Sequence, residues 1–92
     1  MHAVVVTVNI TPGQFETSRK ALHEQVVPRV SGAPGFVKGY WTANADRSQG
    51  TSLIVFHTRE NAERAASMIR TAPPTPGVTL GGVEVREVVA EA

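Results

Sequence analysis

Four residues of this chain carry side chains suited to metal-free chemistry on a small organic molecule: Thr7, Asn9, Trp41 and His57. Asn9 stands near the end of a β-branched run, where its amide can hold a carbonyl or enolate oxygen. The plainer role is to end the strand by bonding backbone at the turn that follows. Thr7, two positions earlier, shares its alternation. His57 closes another apolar run and is a candidate general base near neutral pH. Only Glu60 lies close enough in sequence to orient it, and a histidine at a strand end is more often structural. Trp41, the single tryptophan, can wall an aromatic pocket or fill core or interface with its N–H bonded. Tyr40 alternates away from Trp41 and suits a subunit contact better than the same site.

The remaining chemistry is narrowed by what the chain lacks. It has no cysteine, so no disulfide, thiolate nucleophile or Cys-ligated zinc forms within it. His2, His23 and His57 have no metal-ligand spacing, and His2 and His23 read as a terminal and an exposed helical residue. The Gly81-Gly82 pair has no dinucleotide-binding context and reads as a turn or bulge before the last strand. No metal and no cofactor is expected.

The elements that must position these residues follow from pattern. His2 to Ile10 is a strand, apolar enough to be covered on both faces. Thr11-Pro12-Gly13-Gln14 reads as a helix start, with Thr11 as cap, Pro12 at the first helical position and Gln14 completing a capping box. Phe15, Leu22, Val26 and Val30 share one face of the helix that follows. Pro28 has no N–H, so the helix should kink or end near Val27. Phe36 to Ala43 is a second strand, weakened by Lys38 and Gly39 and therefore at an edge. Alternation sets Val37, Gly39, Trp41 and Ala43 on one face and Phe36, Lys38, Tyr40 and Thr42 on the other. Thr51 to His57 is a third, central strand. Thr58 caps a second helix whose inner face is Ala62, Ala65, Ala66 and Ile69. The proline-rich segment Ala72 to Gly77 ends that helix. Val83 to Val89 is the last strand, another edge.

The order β-α-β-β-α-β predicts an α+β, ferredoxin-like fold: a four-stranded antiparallel sheet with two helices on one face. The first and third strands are central. At 92 residues the chain, 1–92, reads as a single domain. Net charge is +1 with both signs scattered, which argues against a nucleic-acid partner. The N-terminal apolar run is too short for a signal peptide or a membrane span, so no membrane partner and a cytoplasmic location are expected. Two helices cover one face of the sheet. The other face also carries apolar residues, and a second sheet from an identical chain is the simplest cover, giving a homodimer through sheet faces.

Three segments carry a resemblance to a known family: TPGQF opening the first helix, PGFVKGYW entering the second strand, and SLIVFHTRENAERAA joining the third strand to the second helix. With them the chain resembles the dimeric α/β-barrel superfamily, and within it the antibiotic-biosynthesis-monooxygenase-like group. The resemblance implies a dimer of face-to-face sheets, with small molecules bound between each sheet and its helices. It implies one of several activities, among them cofactor-independent oxygenation and heme degradation. Heme-degrading relatives use an Asn on the first strand, a Trp further along and a His on the second helix. The Asn slot falls on Thr7, with Asn9 two positions on, and the second helix has no His. For an oxygenase of the cofactor-free kind, Asn9 and His57 are the catalytic candidates, and Thr7 and Trp41 would contact a small aromatic or polyphenolic ligand. A non-catalytic dimeric ligand-binding module stands beside that reading, with heme binding third. Hydrophobicity would place Val4, Val6, Val8 and Ile10 under the helices; the resemblance would place Thr7 and Asn9 there.

Overall fold

The computed structural model describes all 92 residues. The strands are β1 (His2–Ile10), β2 (Phe36–Ala43), β3 (Gln49–Phe56) and β4 (Val78–Glu87). Between β1 and β2 runs one helical rod in three parts: α1 (Phe15–Ala21), a π-helical turn (Leu22–Val26) and α2 (Val27–Ser31). A further helix, α3 (Arg59–Thr71), joins β3 to β4. The sheet order is β2-β3-β1-β4, antiparallel throughout. This is the ferredoxin-like fold, with the two most apolar strands in the middle. No helix is long and apolar enough to cross a membrane.

The choice of face on β1 goes to hydrophobicity. Val4 and Val6 are buried under the helices with Ile54, Phe56, Val30, Ala62, Ala65 and Ala66. The alanines of α3 bring that helix close to the sheet, and Thr58 caps it by accepting the Asn61 N–H at 3.1 Å. Thr7 and Asn9 therefore lie on the opposite, uncovered face.

Four local readings are corrected. Thr11 does not cap the first helix. The Gln14 N–H donates to the Thr11 carbonyl at 2.9 Å, and Gly13 takes φ +79°. Pro followed by a left-handed Gly makes a type II turn, so α1 starts one residue after it with no side-chain cap. The rod does not end at Val27 but passes there from a π-helical turn into α2. The Val27 N–H donates to the Leu22 carbonyl, five residues back, and the widened turn lets Pro28 enter α2 near its start, where a missing N–H costs least.

In β2, Phe36 pairs with Phe56 but Lys38 pairs with Val55, leaving Val37 as a bulge. The extra residue reverses the alternation. Phe36 thus joins Gly39, Trp41 and Ala43 on the helix side, edge-on to Phe56 at 6.2 Å. Finally, β4 begins at Val78 and contains the glycine pair. Thr7 pairs with Gly82 and Val8 with Leu80, so Gly81 is the bulged residue. A Cβ there would sit 3.1 Å from the Thr7 carbonyl oxygen.

Candidate functional site: a cavity between the sheet and the first helical rod

The rod diverges from the sheet. α2 packs on β2, and α3 packs on β1, β3 and β4, while α1 packs mainly along the rod itself. The gap is a cavity of about 840 Å³, within the range of roughly 300–1,000 Å³ usual for small-molecule sites. Its floor is the inner face of the sheet: Val6 and Val8 on β1, Ser52 and Ile54 on β3, Trp41 on β2. Phe15, Leu22, Val26 and Val27 form one wall. Met68, Ile69 and Val78 form the other.

Trp41 is half-buried on this floor. An ideal Cβ at Gly39 would come within 3.0 Å of the Trp41 ring. The bare glycine therefore leaves room for the indole to lie along β2. The residue that weakens the strand is the one that seats the tryptophan. Ser52 lies between Val6 and Trp41 in register and is 8% exposed. No buried polar side-chain atom is left without a partner, and Ser52 lines the cavity. Ser18, also buried, is committed to local structure, its hydroxyl donating to the Phe15 carbonyl at 2.8 Å.

The charged groups at the cavity are Arg19, Arg29 and Arg70, with His23 the one imidazole. No Asp or Glu lines it. The β2–β3 loop reaches the same end. Arg47 lies over the Phe15 ring, 4.2 Å from its centroid, and 4.0 Å from Glu16. In that loop the Ser48 hydroxyl and N–H both donate to Asp46 and hold its carboxyl below the usual value. On β4, the hydrogen bond and charge of Arg86 lower Glu84 in the same way. Neither carboxylate lines the cavity.

Of the four residues singled out in the sequence, Trp41 alone lines this cavity. Thr7 and Asn9 lie on the uncovered face, where Asn9 Oδ1 accepts from Gln49 Nε2 at 3.4 Å. The His57 side chain is exposed at the end of β3, and its backbone N–H donates to the Gly35 carbonyl at 2.9 Å. Asn9 pairs with Gln49 and His2 with Phe56, so Asn9 and His57 lie at opposite ends of the sheet. At about 3.3 Å per residue the separation along the strands is about 26 Å. Within one chain they do not meet on one small ligand. Sequence reasoning missed His23 and Ser52. His23 reads as an exposed helical residue and is exposed, and no spacing in the sequence shows that it also borders the cavity. Ser52 is the polar interruption of an apolar strand, and its alternation with Ile54 and Phe56 places it on the inner face.

No protein-family model matches the sequence, and no curated protein matches it. Solved structures do. The heme-degrader MhuD of Mycobacterium tuberculosis, with two hemes bound in its active site, superposes with a TM-score of 0.75 at 13% identity. That match covers 100% of this chain and 99% of MhuD. A dimeric ferredoxin-like protein from an uncultured marine organism gives 0.70 at 13% identity, over 100% and 98%. The ActVA-Orf6 monooxygenase of Streptomyces coelicolor, in complex with nanaomycin D, gives 0.61 at 15% identity, over 99% and 92%. At these identities the likeness is one of fold: the chain shares the helix-covered, four-stranded ferredoxin-like architecture of these proteins.

Proposed function

We propose that this protein is a homodimer that binds a planar aromatic compound between its sheet and its first helical rod, and oxygenates an electron-rich phenolic substrate there without a cofactor. The observation that carries the reading is the cavity itself: apolar walls, an indole on the floor, and few polar groups. Such a lining strips water from a bound ring and leaves its orientation to those few groups.

In the oxygenation, a ring CH₂ activated by neighbouring phenols gives up two hydrogens to one atom of dioxygen, which leaves as water. The other oxygen atom becomes a ring carbonyl. The substrate supplies the electrons. The protein's part is to stabilise the substrate's anion and take up its proton. Asn9 and His57 lie outside the cavity, so these roles pass to the Ser52 hydroxyl and the His23 imidazole.

The test pairs binding with turnover. Quenching of Trp41 fluorescence by tricyclic phenols measures binding, and oxygen uptake with the same compounds measures turnover. Quenching with uptake that falls in His23→Ala supports the full reading. Quenching without uptake leaves a non-catalytic binding module. Absence of quenching across the panel contradicts both.

A second reading, heme binding, has one specific observation in its favour: His23 lines the cavity as its one imidazole, a side chain suited to ligate heme iron. Bound heme would supply its iron for oxygen chemistry, and His23 would hold it. A Soret band on adding hemin to the protein, lost in His23→Ala, would establish that ligation. An unchanged spectrum would remove it.

A further inference from the structure

The charge of the cavity wall is one-sided. The chain has 8 Asp and Glu residues and a net charge of only +1. None of the acids lines the cavity, whereas Arg19, Arg29 and Arg70 do. The rim of an otherwise apolar hollow is therefore positive.

The three arginines differ in what else they hold. Arg19 pairs with Glu16 at 3.5 Å, both side chains mostly in solvent. Such an exposed pair is weak, so a bound anion can displace it. Arg70 spends one N–H on the Val83 carbonyl at 3.1 Å, which fixes its guanidinium and leaves its other donors open. Arg29 forms none of the ion pairs or side-chain hydrogen bonds of the chain. It is therefore the cavity's least committed cation. Arg19 and Arg29 are ten positions apart on the rod, about 15 Å, so the two cannot grip one carboxylate together.

We propose that the cavity's ligand is an aromatic acid: a planar ring system with a carboxylate, or an equally acidic group, held by Arg29 at the rim while the ring lies against Trp41. Arg19 and Arg70 add to the positive field that draws the acid in. A guanidinium beside apolar walls suits this class, because the carboxylate stays paired and partly solvated while the ring is desolvated. The inference rests on the binding reading above and narrows its substrate class.

The single tryptophan makes the test direct. Affinities of an anthraquinone carboxylate and the matching neutral carboxamide are compared by Trp41 quenching in the wild-type protein. The carboxylate should bind about tenfold tighter or more, and the difference should shrink at high salt. Arg29→Gln should remove most of the preference, lowering carboxylate affinity far more than carboxamide affinity. A variant with all three arginines changed to Gln should abolish it. Equal binding of the two compounds overturns the aromatic-acid proposal and leaves the binding reading standing. So does a preference that survives in the triple variant. If neither compound quenches Trp41, the binding reading fails and this proposal fails with it. The wild-type comparison decides the charge question even if a variant folds poorly.

Discussion

At the scale of single residues, the site turns on a glycine and a tryptophan two positions apart. Gly39 has no Cβ to push against the Trp41 ring, and the ring lines the cavity floor as a result. We predict that Gly39→Val displaces the indole. Its emission maximum should move to longer wavelength, and affinity for planar aromatics should fall by about two- to tenfold, the scale of a lost aromatic contact. An unchanged spectrum and affinity would mean that Trp41 is not seated by Gly39. The sequence left Trp41 open between a pocket wall and core or interface packing, and its place half-buried on the cavity floor follows from the sheet register. The placement of Asn9 was not. Its side-chain amide is spent on a cross-strand contact with Gln49, a partner forty residues away whose register no local pattern reveals. His23 was readable only as an exposed helical residue, because the cavity it lines depends on how far the rod stands off the sheet.

At the scale of elements, the two threonines that precede helices separate cleanly. Thr58 accepts the Asn61 N–H, while Thr11 sits in a turn and caps nothing. Thr58→Ala should therefore cost about 0.5–2 kcal/mol in chemical denaturation. Thr11→Ala should fall within about 0.5 kcal/mol of wild type. Equal losses at the two sites would say that Thr11 contributes a cap after all. Strand order and the alanine face of α3 were legible because each rests on a period repeated over several residues. The misread positions each hang on a single residue of offset. Pro12-Gly13 supports both a helix start and a type II turn, and the left-handed φ of Gly13 decides for the turn. One bulge at Val37 moves Phe36 to the other face, and another at Gly81 extends β4 upstream. The π turn before Pro28 keeps as one rod what the proline alone would divide.

At the scale of the whole molecule, the helices cover one side of the sheet and leave the other open. That open face holds Val5, Leu53, Val55 and Tyr40 in register across three strands. Tyr40 is 58% exposed and Leu53 44%. Adjacent large apolar side chains in water favour association, and one protein of the same fold is dimeric. The expected assembly is an isologous dimer burying more than about 1,200 Å² in total. Sedimentation equilibrium should give a dimer at micromolar concentration, and Leu53→Glu should give a monomer. A monomeric wild-type protein would contradict it. In that dimer Thr7 and Asn9 would face the partner sheet and the cavity would stay on the outer, helix side of each chain, so assembly and ligand binding would use opposite faces of one sheet. The central claim is that ligand enters between the sheet and the rod, and a crystal structure of the protein with the anthraquinone carboxylate tests it most directly. The account predicts ring density against Trp41, above Ser52 and below Leu22 and Val26, with the carboxylate toward Arg29. Density for the ligand between the two sheets, or a cavity closed by its own side chains with no ligand inside, would contradict it.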